Sequence, residues 1–195
     1  MIRVPDQGRF ELRLMDGSAN PYLLQAGVLA AGIEGLNKNI NVEYVSANPT
    51  GPLHIGHCRG AVFGDVLSNL LKFTGHNVTK EYYINDAGTQ NDTLANSTII
   101  RIKEIINSKS LEDYPDDFYP GEYLIDVAKK IIDKHGTSIL ENDNHFSTIK
   151  GECVNLLLEN IKEDLSKLSI NQDIFVSEKE LITQGKIDKT IDELK

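Results

Sequence analysis

The stretch NVEYVSANPTGPLHIGHCRG, residues 41–60, contains the pattern of a strand, then a turn, then the start of a helix. Side chains alternate along 41–47 in a way that predicts a strand, and NPTGP at 48–52 has the composition of a loop. An apolar stripe at helical spacing follows from about residue 57 to 73, and NVTKEYYI at 77–84 is again typical of a strand. Strand, helix and strand in this order predict a βαβ unit and therefore a parallel sheet.

The rest of the chain is mostly helical in pattern. Apolar periodicity predicts helices from residue 90 to about 108, around 124–131 and over 146–165, a strand at 173–177, and a last helix from residue 186. Residues 111–121 have the composition of a loop. The first forty residues are harder to interpret, although 9–14 could form a strand and 23–31 a short helix. The chain is thus expected to be an α/β protein with a helical insertion.

The composition of the chain limits the classes of function that it can have. The 195 residues are 40% hydrophobic and 25% charged, with a net charge of −9, which is the composition of a globular protein and argues against nucleic-acid binding by this chain alone. Cys58 and Cys153 are far apart and form no CxxC motif, so we expect a reducing, cytoplasmic location. There is no signal-peptide pattern and no apolar run of about 18 residues, so no membrane contact is expected.

His54 and His57 are the candidate site residues that stand out from the chemistry. They fall where a parallel strand ends and a helix begins, and ligands bind at that edge of an α/β sheet. The helix N-terminus favours an anion, Gly56 allows close approach, and the imidazoles supply N–H donors, so the group suits phosphate oxygens. Neither a GxGxxG nor a P-loop motif is present. The alternatives are a metal site of HxxH type, for which no further His/Cys pair has ligand spacing, and two surface loop histidines.

Longer motifs add a resemblance to a family. HIGH preceded by NPTGPL resembles the first signature of class I aminoacyl-tRNA synthetases, and residues 41–90 resemble the arginyl-tRNA synthetases in particular. YPGEYL at 119–124 and DIFVSE at 173–178 are also similar to that family. The resemblance implies the first half of a Rossmann-like, HUP-type nucleotide-binding core with a helical insertion. Residues 1–40 would be a poorly defined remnant of an amino-terminal region. Residues 41–195 would be the first half of the catalytic domain, with a strand at 41–47, the HIGH loop at 47–57 and helical segments over 90–170.

The same resemblance implies roles for individual residues. His54 and His57 would contact the ATP phosphates and stabilise the charge that develops on them, and Gly56 would support the adenine. Further ATP contacts are expected at Thr50, Gly51 and Pro52, and arginine contacts at Glu43, Ser46, Asn48, Asn85 and Asp86. Structural explanations stay open for the second group, namely a solvated strand residue for Glu43 and turn or capping chemistry for the others.

The implied activity is that of an arginine–tRNA ligase, which uses ATP with Mg²⁺ to form arginyl-adenylate and then charges tRNA(Arg). No metal site made by protein ligands is expected. The chain contains neither a KMSKS-like lysine loop nor an anticodon-binding domain, so L-arginine and tRNA(Arg) would be substrates of a longer enzyme or of a complex with a chain that carries KMSKS. The alternative is a non-catalytic paralogue that binds a nucleotide or an amino acid.

Overall fold

The computed structural model describes residues 2–6, 9–12 and 39–194. The chain divides into two compact units. The sheet unit comprises Met1–Ala47, Leu53–Ile84 and Leu165–Lys195, and the helical unit comprises Asn48–Pro52 and Asn85–Asp164.

The sheet unit is built on five strands in the spatial order β1-β2-β3-β4-β5. Their bounds are β1 Ile2–Asp6, β2 Arg9–Leu12, β3 Asn39–Glu43, β4 Asn77–Ile84 and β5 Ile174–Ser177. β1 and β2 are antiparallel, whereas β2, β3, β4 and β5 are parallel neighbours. The predicted α/β parallel-sheet core is confirmed, with an antiparallel strand added at one edge.

The end of β3 differs from the prediction. A strand over 41–47 is wrong in both bounds, because β3 begins at Asn39 and ends at Glu43. The physical reason is backbone conformation: Val45 has φ 70° and Ser46 has φ 41°, and neither value is compatible with an extended strand.

The first helix of the described chain, α1, spans Ile55–Phe73 and connects β3 to β4. It begins two residues before the predicted start. Its end is as expected, because Gly75 takes φ 93° and the His76 N–H donates back to the Leu71 carbonyl at 3.1 Å. The predicted strand 77–84 is confirmed as β4.

The helical unit contains three α-helices and a 3-10 turn. These are α2 Gln90–Asn107, α3 Tyr123–His135, the 3-10 helix Thr137–Glu141 and α4 His145–Lys167, whose last three residues belong to the sheet unit. All three predicted helices are confirmed, as is the lack of regular structure over 111–121. Their apolar faces form one core: Leu94, Ile99, Ile102, Leu124, Val127, Ala128, Ile131, Ile139, Ile149, Cys153 and Leu157.

Cys153 shows how closed this core is. Its side chain is fully buried, and the thiol donates to the Thr98 hydroxyl at 3.2 Å. Burial raises the pKa of the Cys153 thiol to about 11. The group is therefore a small apolar core side chain at neutral pH.

The predicted strand at 173–177 is confirmed as β5. Two short helices follow it, α5 Glu178–Thr183 and α6 Lys186–Glu193, and the second confirms the helix predicted from residue 186. The strand expected over 9–14 is described as far as Leu12. Its last two residues and the helix expected over 23–31 lie outside the described residues. Within the described ranges, no helix combines the length and the apolar character that crossing a bilayer requires.

Candidate active site

His54 is the N-cap of α1. Its backbone is extended, with φ −121° and ψ 173°, and its Nδ1 accepts the Gly56 N–H at 3.1 Å. N-caps are usually Ser, Thr, Asp or Asn, whose side-chain oxygen accepts a free N–H of the first turn. Here an imidazole nitrogen takes that role.

His57 completes a reciprocal cap. Its Nδ1 accepts the backbone N–H of His54 at 3.3 Å, so the pair reproduces a capping box with two imidazoles. The two rings stack with their centroids 3.7 Å apart and their planes 20° from parallel. Because each Nδ1 accepts a hydrogen bond, the proton of each neutral ring sits on Nε2. Each imidazole is therefore a donor through Nε2–H.

His57 favours its neutral form. Partial burial lowers the pKa of His57, and the neighbouring His54 lowers it further. A neutral His57 keeps Nδ1 available as the acceptor for the backbone of His54. Protonation would remove that acceptor and place a positive charge on a ring stacked against another imidazole.

Gly56 suits this cap. A Cβ at residue 56 would lie 3.0 Å from Cε1 of His54, so a larger residue would require the imidazole to shift by a few tenths of an ångström. The first turn of α1 also contains no acidic residue. The N–H groups and the positive end of the helix dipole therefore face no carboxylate of their own turn, which is the condition that favours an anion.

A cavity of about 220 Å³ lies between β3 and α1 in the sheet unit. It is lined by Val42, Glu43, Tyr44, Val45, Gly56, His57, Gly60, Phe63, Gly64 and Leu67. Glu43 is the last residue of β3 and is half-buried, and among the described residues no cation pairs with its carboxylate. Glu43 and His57 thus line one cavity, and their side chains are of types that suit a guanidinium or ammonium group and a phosphate respectively.

The close approach of α1 to β3 sets the width of this cavity. A Cβ on Gly64 would lie 2.2 Å from Cγ of Tyr44, so the helix backbone rests directly on that ring. The Tyr44 hydroxyl contacts Asp65 at 3.3 Å, and Lys80 of β4 forms an ion pair with the same carboxylate at 2.6 Å. Burial, together with Asp65, raises the pKa of Tyr44, so the hydroxyl stays protonated.

Ser46 lies in the irregular segment after β3. Its Oγ accepts the backbone N–H of Tyr83 at 3.0 Å, in place of the carbonyl that a continued strand would offer. The hydroxyl proton of Ser46 is still available as a donor.

Asn48 and Asn85 meet in the helical unit. The Asn85 side chain donates to Oδ1 of Asn48 at 2.6 Å, and Nδ2 of Asn48 donates to Gln90 at 2.7 Å. Asn85 also accepts a hydrogen bond, at its backbone carbonyl, from Asn91 at 3.1 Å. Asp86 follows in the turn before α2 and is half-buried.

Thr50, Gly51 and Pro52 also belong to the helical unit. The Tyr123 hydroxyl donates to the Thr50 carbonyl at 2.6 Å, and a Cβ on Gly51 would lie 3.3 Å from that hydroxyl. Pro52 follows them and is exposed. This loop is therefore fixed by the first residue of α3.

The sheet unit brings together His54, His57, Gly56 and Glu43, and the helical unit brings together Asn48 and Asn85. The sequence did not indicate the residues that support them: Tyr44, Tyr82, Gln172, Gln90 and Tyr123. For Tyr82 alone, the alternation of side chains along β4 indicates a buried position, although it does not indicate the hydrogen bond. In the described part of the chain, no three His, Cys, Asp or Glu side chains gather as a metal site.

A parallel sheet whose HIGH helix begins beside the end of a strand defines the class I synthetase type of nucleotide-binding core, and solved structures share this fold. A Campylobacter jejuni chain assigned to the arginyl-tRNA synthetases superposes with a TM-score of 0.67 at 37% identity, covering 84% of this chain and 38% of that one. The arginyl-tRNA synthetase of Thermus thermophilus superposes with a TM-score of 0.51 at 19% identity, covering 85% of this chain and 29% of that one, which supports the fold alone.

The family model for the catalytic domain of class I (R) tRNA synthetases matches residues 21–195, and the chain belongs to this family. The arginine–tRNA ligase of Bartonella tribocorum is 49% identical over 163 residues, covering 82% of this chain and 28% of that protein. The arginine–tRNA ligase of Wolbachia pipientis wMel is 53% identical over 158 residues, covering 80% and 27% respectively. The chain therefore spans a little over a quarter of the length of these curated relatives.

Proposed function

We propose that this chain supplies the ATP- and arginine-binding part of an arginine–tRNA ligase active site. The reaction has two steps. The arginine carboxylate attacks the α-phosphate of ATP to give arginyl-adenylate and pyrophosphate. The terminal ribose hydroxyl of tRNA(Arg) then attacks the arginyl carbonyl, forms the ester and releases AMP. No protein nucleophile is needed, so positioning and electrostatic stabilisation carry the catalysis.

The stacked His54–His57 pair at the N-terminus of α1 is the observation that carries this proposal. Its two Nε2–H groups are donors that suit phosphate oxygens, and they stabilise the negative charge that grows on the α-phosphate during attack. Gly56 leaves the approach to the helix end open for the nucleotide, and Thr50, Gly51 and Pro52 contribute to ATP binding. Mg²⁺ would be held mainly by the phosphates and water, since Mg²⁺ is usually bound together with substrate phosphates.

Glu43 is the proposed anchor for arginine. Glu43 lines the same cavity as His57, and no cation among the described residues pairs with its carboxylate, so that carboxylate can bind an ammonium or guanidinium group. Ser46, Asn48, Asn85 and Asp86 are proposed to add polar contacts to the amino acid. The names of the close relatives favour this ligase over a non-catalytic paralogue.

We propose that charging of tRNA(Arg) needs more than these residues. The sequence contains no KMSKS-like lysine loop for the pyrophosphate side of ATP, and its net charge of −9 disfavours tRNA binding. The remainder of a longer enzyme, or a complementary polypeptide that carries KMSKS, would supply both functions, in the cytoplasm. The 195-residue chain by itself is then expected to bind ATP and arginine weakly and to charge no tRNA.

A titration with Mg-ATP and with arginine, followed through the imidazole Cε1–H resonances by NMR, tests the binding function. We expect shifts at His54 and His57, and at least a tenfold loss of ATP affinity in His57→Ala. The matched control is His145→Ala. His145 is also the first residue of a helix, but it does not line the cavity in the sheet unit. Equal ATP affinity in the His57 variant and the wild type would refute the phosphate role.

Aminoacylation and pyrophosphate exchange with arginine, ATP, Mg²⁺ and tRNA test the second part. Robust arginine-dependent turnover by the chain alone, abolished by His57→Ala, would show that no complementary polypeptide is needed.

A further inference from the structure

The end of β3 holds a β-branched residue in a conformation that such residues avoid. Four non-glycine residues in the described ranges have positive φ: Val45, Ser46, Ser108 and Ser169. Ser108 caps α2, and Ser169 follows the end of α4, where left-handed residues are common. Val45, with φ 70°, instead lies two residues beyond the end of β3, and a β-branched side chain makes this conformation costly.

Hydrogen bonds on the strand side enforce the turn. The Tyr44 N–H donates to the Glu81 carbonyl at 3.2 Å and so keeps the last ladder bond with β4. One residue beyond Val45, Oγ of Ser46 accepts the N–H of Tyr83 at 3.0 Å. Between and at these two anchors, the backbone takes positive φ at Val45 and Ser46.

Two side chains fix the carbonyls on either side of the turn. The hydroxyl of Tyr82, a fully buried residue, donates to the Ala47 carbonyl at 2.7 Å. Nε2 of Gln172 donates to the Tyr44 carbonyl at 3.2 Å. Neither residue lines the cavity, so both act on it through the backbone.

The turn borders the cavity. Val45 lines it together with Val42, Glu43 and Tyr44, so a change in the backbone at Val45 would move a residue of the wall. Strained conformations persist only where their surroundings over-determine them, and they concentrate at functional sites.

We propose that the strained Val45–Ser46 turn is a positioning device that fixes the wall of the cavity around Glu43, with Tyr82 and Gln172 as its positioning residues. The inference rests on the proposed function, because arginine is taken as the ligand of Glu43. Without the Tyr82 hydroxyl, Val45 relaxes toward the extended region and the wall loses its shape. With glycine at residue 45, the left-handed conformation carries no penalty and the hydroxyl is no longer needed to enforce it.

A double-mutant cycle between Tyr82→Phe and Val45→Gly tests this coupling in the 195-residue chain. Arginine affinity is measured by NMR titration and the thermal midpoint by melting without ligand. We expect Tyr82→Phe to weaken arginine binding about tenfold in the wild type and less than about threefold in the Val45→Gly background. The drop in midpoint caused by Tyr82→Phe is also expected to be smaller in that background.

Ser169→Gly is the matched control, because it releases another left-handed residue away from the cavity. It should leave the effect of Tyr82→Phe unchanged. Additive midpoints in the Val45–Tyr82 cycle would overturn the inference whether or not ligand binds. Wild-type binding of neither ATP nor arginine would instead refute the proposed function, and the melting cycle would still decide the role of the turn.

Discussion

The N-termini of α1 and α2 follow neighbouring parallel strands, but only one is arranged for an anionic ligand. α1 is capped by two imidazoles and has no acidic residue in its first turn, whereas α2 has Asp92 in its first turn and no side-chain cap at Thr89. The Asp92 carboxylate pairs with Lys150 at 2.7 Å, so the charge at that helix end is already compensated within the helical unit. Two helices that both follow a strand can therefore differ in how well their first turns suit an anion, because the side chains of those turns differ.

The largest effect is expected where α1 meets β3. Gly64→Ala would place its Cβ 2.2 Å from Cγ of Tyr44, so helix and strand must separate. We expect a loss of about 2–3 kcal/mol in the free energy of unfolding, together with a loss of ATP binding, because the cavity and the capped end of α1 shift with the helix. Chemical denaturation measures the first effect and calorimetry the second.

Gly151→Ala, in the interior of α4, is the control for that change. A Cβ at residue 151 meets no atom within 4 Å, so helix propensity should stabilise this variant by about 1 kcal/mol. If Gly64→Ala were as stable as Gly151→Ala, the backbone of α1 could not lie directly against the Tyr44 ring.

A carboxylate placed in the first turn of α1 should make the N-terminus of α1 as unfavourable for an anion as that of α2. Ile55 is 86% exposed, so Ile55→Glu costs little packing. The helix should keep its stability or gain slightly through its dipole, while ATP affinity falls about tenfold, or about 1.4 kcal/mol, by repulsion of the phosphates.

Asp92→Asn provides the reciprocal test at α2. Removing this partly exposed carboxylate should cost at most about 1 kcal/mol of stability and leave ATP affinity within about twofold of the wild type. Comparable losses of ATP affinity in the Asp92 and Ile55 variants would mean that the two helix ends do not differ as described.

The smallest effect concerns the proton equilibrium of the histidine pair. The pKa of His57 is lowered first by burial and then by His54, so His54→Ala should raise it part of the way toward its ordinary value. A base whose pKa is lowered in the folded state binds fewer protons there, so His57 opposes folding as pH falls below about 6.5. NMR titration of Cε1–H gives the pKa directly, and a lower pKa in the variant would contradict the stacked pair.

Much of the fold followed from periodicity, while the exact end of β3 did not. The apolar stripes predicted α1 to α4, and a glycine with positive φ follows the end of α1 at Gly75 and of α3 at Gly136. The alternation of side chains continues through residue 47. Valine rarely adopts positive φ, so its presence at residue 45 gives no indication of the left-handed backbone found there. The positive φ values at Val45 and Ser46 accompany contacts such as the one between Gln172 and Tyr44, 128 residues apart, which no local pattern reports.

The position of the two histidines at the start of α1 was predictable from the sequence, whereas their contacts with each other were not. Two histidines and a glycine at the start of a helix indicated phosphate chemistry. Their role as a cap did not follow, because imidazoles rarely replace Ser, Thr, Asp or Asn there. The reason for Gly56 is likewise visible only once the ring of His54 lies against it.

The closed core around Cys153 has a practical consequence. Its thiol is fully buried and protonated at neutral pH, so it reacts poorly with alkylating reagents. Cys58, the other cysteine of the chain, is partly exposed in the first turn of α1, next to His57. A thiol-reactive fluorophore would therefore label the native sequence at a single position beside the histidine pair, so the unaltered protein can report optically on the occupancy of its own site.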